Sequence, residues 1–279
     1  MLNKEQIEFF LVKAYNASLR AGARILEIYE NSGDLAVDMK SDNTPITVAD
    51  RDAHNIIKSY LNQTRIPLLS EEGRDILFEE RRGWDLFWMV DPLDGTKEFI
   101  KGNGEFTVNI ALMYDNKPTI GIIYVPFIRK AYFAVKGHGA YVRTEVEPDA
   151  GAEITIEDVY VNTIKLPLRE KSNDPIRIAM SRSHNTPETY DCIDELKRQY
   201  PGAEVIEQGS SYKFCMLAEG AVETYFRTSP TCEWDTAAGE LILDESGGAV
   251  FLFDGTRGIE YNKPSLVNPH FVCKSAFMQ

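Results

Sequence analysis

The chain has 279 residues, 43% of them hydrophobic and 11% aromatic, which is the composition of a folded globule rather than a disordered or fibrous chain. That length holds one large domain or two modest ones. A formal charge of −13 at pH 7 argues against a nucleic-acid-binding surface or adsorption to anionic lipid. An acidic chain that handles phosphates has to bring cations to its site.

Ile7, Phe10, Leu11, Ala14, Leu19, Ile25 and Ile28 recur at helical spacing and predict a long amphipathic helix ending near Tyr29. Ser41-Asp42-Asn43-Thr44-Pro45 reads as a turn, followed by a second helix over 49–61. A short strand over 66–70 ends at Glu71-Glu72-Gly73. The apolar run 84–90 predicts a buried strand closed by a turn over 91–96. Strands are expected over 106–114 and 119–125, joined by Asp115-Asn116, and the runs 131–135 and 140–143 flank a hairpin at Gly137-His138-Gly139. This half reads as helices on a largely antiparallel sheet.

Residues 145–152 are polar and carry Pro148 and Gly151, so a boundary is drawn there, with an α+β domain over 1–150 and an α/β domain over 151–279. Beyond it, strands over 176–180, 204–207, 221–226 and 249–253 alternate with helices over 189–200, 212–219 and 236–244. That rhythm predicts an α/β layer. No apolar segment is long enough to span a bilayer, and residues 1–5 lack the basic start and apolar core of a signal peptide. Cys192, Cys215, Cys232 and Cys273 contain no C-x-x-C pair; reduced thiols in a cytoplasmic enzyme are expected, with Cys215 a small core residue.

The chemistry centres on Asp91-Pro92-Leu93-Asp94-Gly95-Thr96. Two carboxylates three residues apart, beside a buried strand and a permissive glycine, suit a hard divalent cation with positions left open for water and phosphate. The same letters also make an ordinary turn. Glu71 on its own reads as a solvated loop acid, and Asp235 in Trp234-Asp235-Thr236-Ala237-Ala238-Gly239 as the cap of the following helix. If these acids converge, electrostatics decides. Two carboxylates about 5 Å apart repel by roughly 3 kcal/mol at an effective dielectric near 20, so four would take up protons or bind cations.

In the second half, Ser181-Arg182-Ser183-His184 and Gly209-Ser210-Ser211-Tyr212-Lys213 both fall between a predicted strand and a predicted helix. Such junctions are where open α/β sheets bind ligands, and helix N-termini with a nearby lysine suit an anion. Simple helix caps with surface basic residues fit the same letters. Gly137-His138-Gly139 reads as a turn rather than a phosphate loop, and His54 as structural; residues 261–265 could border the site.

The 91–96 and 234–239 segments, with Glu71-Glu72 and Pro45-Ile46-Thr47-Val48-Ala49-Asp50, resemble the paired signature of the inositol monophosphatase superfamily of magnesium-dependent, lithium-sensitive phosphatases. Lys97-Glu98-Phe99-Ile100 resembles its 3′(2′),5′-bisphosphate nucleotidase branch, where inositol monophosphatases usually read Asn-Phe after Gly-Thr. The resemblance implies the layered α/β/α/β/α sugar-phosphatase fold. It implies that Glu71, Asp91, the Leu93 carbonyl, Asp94 and Asp235 hold two or three Mg2+ ions, and that Asp50 and Thr96 position and deprotonate the attacking water. Asp94, Gly95, Thr96, Lys97, Ser181, His184, Ser210, Lys213 and Asp235 become substrate-binding candidates.

The expected reaction is hydrolysis of the 3′-phosphate of adenosine 3′,5′-bisphosphate to AMP, extending to the related 5′-phosphosulfate and clearing a by-product of sulfate assimilation. An inositol or sugar monophosphatase of the same fold is the nearest alternative, and a non-catalytic metal- or nucleotide-binding regulator the next. The expected partner is a small phosphorylated nucleotide, with no nucleic acid and no integral membrane contact. The chain is expected to be a monomer or homodimer in the cytoplasm. The resemblance also allows peripheral association with the inner membrane, for which no anchor is encoded.

Overall fold

A computed structural model describes residues 2–31, 37–39, 45–147 and 153–278. The turn expected over 41–45, apart from Pro45, and the 148–152 part of the expected boundary lie outside the described residues. Helix α1 (Lys4–Glu30) starts at Asn3, whose side chain accepts from the Gln6 amide while Gln6 reaches back, a reciprocal cap. Strands β1 (Val37–Met39) and β2 (Pro45–Thr47) form a small antiparallel pair, and β2 runs directly into α2 (Val48–Leu61). There follow β3 (Leu68–Ser70), α3 (Phe78–Arg81), β4 (Leu86–Asp94), α4 (Thr96–Ile100), β5 (Thr107–Tyr114), β6 (Lys117–Val125), β7 (Lys130–Val135), β8 (Gly139–Arg143), α5 (Ile156–Tyr160) and β9 (Thr163–Lys165). The rest comprises β10 (Arg177–Ser181), α6 (Pro187–Gln199), β11 (Glu204–Gln208), α7 (Tyr212–Glu219), β12 (Thr224–Arg227), α8 (Glu233–Glu245), β13 (Ala249–Leu252) and β14 (Phe271–Lys274).

Strands β3 to β9 make a seven-stranded sheet in sequence order, antiparallel except for the parallel β3–β4 pair. A five-stranded sheet has the order β11-β10-β12-β14-β13; its first three strands are parallel, and β14 lies antiparallel to both neighbours. The chain passes from one sheet to the other after Lys165, because β9 returns to pair with β8 beyond the polar stretch at 145–152.

Both faces of the large sheet are covered, which explains why β4 reads as a continuous apolar run rather than an alternating one. Trp88 and Val90 join Phe10, Leu11, Tyr15 and Ile57 of α1 and α2 on one side. Phe87 and Met89 join Phe214, Leu217, Ala238 and Leu241 of α7 and α8 on the other. That second core continues into Val250, Tyr225 and Phe271 of the small sheet, whose far side packs Ile178 and Met180 on Ile193 and Leu196 of α6. The result is the α/β/α/β/α layering. Helix α8 lies directly on β6: a side chain at Gly121 would meet the Ala238 carbonyl oxygen at 2.7 Å.

Candidate active site

Strand β4 does not stop in a turn at Asp91, as its letters suggested. It runs through Pro92 to Asp94, and its pairing shifts: Asp91 faces Asn109, and the next pair is Asp94 with Thr107. Three steps on β4 therefore match two on β5, a bulge of one extra residue. In a regular strand residues three apart point to opposite faces. The extra residue turns Asp94 round, and Asp91 and Asp94 line the same cavity. The Asp91 carboxylate accepts the Leu93 N–H at 3.1 Å and so holds the bulge shut. Gly95 follows at φ +96°, where a Cβ would sit 2.9 Å from the Glu105 carbonyl, and its left-handed turn opens α4 at Thr96.

Glu71 comes directly after β3, its N–H donating to the Val90 carbonyl at 3.1 Å, so it stands beside Asp91 across a parallel pair. Asp235 arrives from another layer. It is not the cap of its helix but sits within the first turn of α8, where its carboxylate reaches back to the Cys232 N–H at 2.9 Å. Helix α8 begins three residues earlier than the sequence pattern indicated, at Glu233.

Burial, reinforced by Glu71, Asp94 and Asp235, pushes the Asp91 carboxyl well above the usual range, and burial with Asp94 and Glu71 does the same to Asp235. Asp94 is raised by burial, opposed by Lys213 and by a hydrogen bond from the Ser211 N–H at 2.5 Å. Crowded anions taken out of water call for a counter-charge. Among the described residues no three His, Cys, Asp or Glu side chains close into a cage able to hold an ion by themselves. Magnesium fits such an incomplete arrangement, since it keeps several waters and uses only one or two carboxylates together with phosphate. The donors here are all hard oxygens: four carboxylates and the Leu93 carbonyl, all from residues lining the cavity.

Asp50 is 1% exposed and does not line the cavity; it stands behind Thr96. One of its oxygens takes the Thr47 N–H and hydroxyl at 2.7 and 2.6 Å in a reciprocal cap of α2, and the other accepts the Thr96 hydroxyl at 3.0 Å. Burial raises its carboxyl.

The opposite wall comes from the carboxyl ends of the parallel strands β10, β11 and β12. Ser181, His184, Ser210 and Lys213 all line the same cavity, of about 240 Å³, with Gly95, Thr96 and Lys97. Ser181 caps no helix, since Thr186 caps α6, whereas the Ser210 hydroxyl accepts the Tyr212 N–H at 3.4 Å where α7 opens, as the simpler reading had it. Lys213 is buried and donates hydrogen bonds to the Gln208 and Ser210 carbonyls at 3.0 and 2.6 Å, which shapes the loop before α7. Lys97 Nζ lies 2.8 Å from His184 Nε2, and burial together with Lys97 pushes the imidazole down to about 4, so it is neutral near pH 7.

Arg227 and Tyr225, two residues apart on β12, line the cavity and were not singled out in the sequence. Arg227 donates to the Ser181 hydroxyl at 2.9 Å. Alternation along Thr224-Tyr225-Phe226-Arg227 at the carboxyl end of a parallel strand was the available signal. Other segments lie elsewhere. His54 binds Ser70 at 2.9 Å away from the cavity, and the Gly137 and Gly139 N–H groups grip the Glu245 carboxylate at 2.7 and 2.8 Å. Asn262 and Lys263 fasten to Arg81 and Glu233 instead of bordering the site.

A five-layered α/β fold with a buried acidic cluster at the seam of its sheets defines a phosphatase architecture, and the inositol monophosphatase family matches residues 6–276. The chain belongs to that family. It is 37% identical over 254 residues to the 3′(2′),5′-bisphosphate nucleotidase CysQ of Salmonella typhimurium, covering 90% of this chain and 94% of that one. With CysQ of Haemophilus influenzae it shares 33% over 274 residues, 97% and 93% of the two chains. The crystal structure of CysQ from Bacteroides thetaiotaomicron superposes with a TM-score of 0.88 at 44% identity, over 96% of this chain and 98% of that one. The SuhB protein of Bartonella henselae, 24% identical with a TM-score of 0.72 over 94% and 92% of the chains, shares the fold.

Proposed function

We propose that this chain is a magnesium-dependent phosphatase that removes the 3′-phosphate of adenosine 3′,5′-bisphosphate to give AMP. One observation carries this: a single cavity has an acidic end, formed by Glu71, Asp91, Asp94 and Asp235, facing a wall with Lys97, Lys213 and Arg227. The acidic end suits cations that grip the phosphate to be cleaved, and the basic wall suits a second phosphate that is kept. A monophosphate leaves that wall unused. The names of the CysQ relatives support the same substrate class. The 5′-phosphosulfate of the same nucleotide, which carries the same 3′-phosphate, is the second expected substrate.

Glu71, Asp91, the Leu93 carbonyl, Asp94 and Asp235 would hold two or three ions. When bound, they neutralise charge on the phosphoryl group and make water a stronger nucleophile. The chain's own residues do the rest. Because the Thr96 hydroxyl donates its hydrogen bond to Asp50, its oxygen is left to accept one from the attacking water and aims that water at phosphorus. As the water oxygen bonds to phosphorus and the bond to the 3′-oxygen breaks, the water proton passes through Thr96 to Asp50, whose raised affinity for protons suits it to receive one. The leaving 3′-oxygen takes a proton from solvent water to become the hydroxyl of AMP, and Asp50 returns the proton it received to solvent. Gly95 and Thr96 offer N–H groups to the phosphoryl oxygens, and Lys97, Ser181, His184, Ser210, Lys213 and Arg227 receive the nucleotide. The proposed setting is the cytoplasm, with the chain acting as a monomer or homodimer.

Phosphate release with magnesium tests the proposal. Fast turnover of adenosine 3′,5′-bisphosphate and slow turnover of inositol monophosphate are expected; the reverse order rejects the assignment.

A further inference from the structure

The Lys97-Glu98 pair marks a branch in the sequence, and the chemistry above leaves Glu98 without a role. Its side chain is 3% exposed, yet its carboxylate points across the seam to the other sheet. Oε1 of Glu98 accepts the Ser183 hydroxyl at 2.5 Å, and Ser183 in turn accepts from Lys101 Nζ at 2.8 Å. Glu98 also touches a second loop: a Cβ at Gly209 would stand 2.7 Å from Glu98 Cγ, so the bare backbone of Gly209 rests on this side chain. Glu105 braces the same two loops from one side. It takes a two-pronged grip from Arg182 at 2.7 and 2.6 Å and the Gly209 N–H at 2.7 Å.

These are the loops that bring Ser181, His184 and Ser210 to the cavity. Helix α4 begins at Thr96, so the same short helix touches the reacting end through its first residue and the nucleotide wall through its third. We propose that Glu98 is a positioning residue for substrate specificity: it holds the 181–184 and 209–211 loops against α4 and so fixes the wall that receives the nucleoside. The inference rests on the nucleotidase reading above. An acceptor of this reach is needed because the Ser183 hydroxyl and the Gly209 backbone must be held at once; the phenylalanine of the Asn-Phe pair, which would stand at the position of Glu98, offers Ser183 no acceptor.

The test compares wild type with Glu98→Met, which keeps the side chain's packing on Gly209 but offers no acceptor, and with Ser183→Ala; the two break the same contact from opposite sides. The readouts are kcat and KM for adenosine 3′,5′-bisphosphate and for glycerol phosphate, a phosphomonoester without a nucleoside, together with the Kd of AMP by calorimetry and the melting temperature. In each variant the ratio of kcat/KM for the bisphosphate to that for glycerol phosphate is expected to fall about tenfold, through KM, with a matching rise in the Kd of AMP. The double variant should fall no further than the worse single one, because one contact is lost in all three. An unchanged ratio and unchanged AMP affinity overturn the proposal, including the case where the melting temperature drops and both substrates suffer alike. Wild-type protein that leaves the bisphosphate intact overturns the functional reading instead, and the AMP affinities then still decide the role of Glu98.

Discussion

At the scale of single residues the proposed mechanism places the chemistry on the acidic cluster, and its members differ in what else they hold. Asp94 accepts the Ser211 N–H through an oxygen that asparagine also possesses, so Asp94→Asn keeps the fold while removing a charge. Turnover is expected to fall roughly a thousandfold, about 4 kcal/mol of transition-state stabilisation, with an unchanged circular dichroism spectrum. Thr96→Ala breaks the path to Asp50 and is expected to lower kcat more than it changes KM, measured by steady-state kinetics. Glu240 shows what burial does to a carboxyl outside the site. It accepts from the Tyr261 hydroxyl at 2.5 Å and the Ile259 N–H at 3.0 Å, yet burial raises its carboxyl to about 7. The folded state therefore holds a proton that the unfolded chain has already released, between the ordinary carboxylate range and pH 7. Glu240 thus destabilises the fold progressively as pH rises through that window. Glu240→Gln should flatten the slope, so that the stability difference between variant and wild type shifts by about 3 kcal/mol from pH 5 to pH 8 in urea titrations.

At the scale of elements, the structure turns on how short segments are pinned. The 260–264 stretch is tied down twice: Arg81 donates to the Asn262 side chain and the Lys263 carbonyl at 2.7 and 2.6 Å, and Lys263 Nζ reaches the fully buried Glu233 at 2.6 Å. Glu233 begins the helix that carries Asp235. Lys263→Met leaves that carboxylate buried without its ion pair and is expected to cost about 3 kcal/mol, read by chemical denaturation. Most elements were legible in the sequence because their patterns are local. The helical spacing from Ile7 to Ile28, the doubly buried run of β4 and the hairpin glycines each follow from the chain's own periodicity. The bulge at Asp91 was not legible, because Asp-Pro and Asp-Gly spell a turn and only pairing with Asn109 and Thr107 keeps them in a strand. The early start of α8 was hidden likewise: Cys232 is a poor capping residue, and its place is fixed by Asp235 reaching back. The motif acids were found from their spacing and family resemblance. Arg227 was missed because the expected strand ended at residue 226; only its extension through Arg227 puts the arginine in alternation with Tyr225 on the cavity side. Strand β9, three residues long, carries no periodicity to detect.

At the scale of the whole molecule the site lies on the seam between two sheets, with Glu71, Asp91 and Asp94 from one and Asp235 from the helix layer between them. Four carboxylates in this setting oppose folding unless neutralised. Without divalent ions, stability is expected to fall as pH rises past the ordinary carboxylate range, since Asp91, Asp94 and Asp235 keep protons in the folded state that the unfolded chain has lost. In the proposed mechanism magnesium takes the place of those protons. Its stabilising effect should therefore grow from pH 6 to pH 8, reaching about 2.7 kcal/mol at a hundredfold excess over its Kd, measured as a shift in melting temperature. The place of β14 gives it an outsized role in the small sheet. Residues 271–274 are the strand that joins β12 to β13, so without them the sheet falls into two pieces. The edge of β12, the strand that brings Arg227 to the cavity, would then be bare on that side. A four-residue strand remote in sequence from every motif acid is thus the keystone of the cavity's basic side.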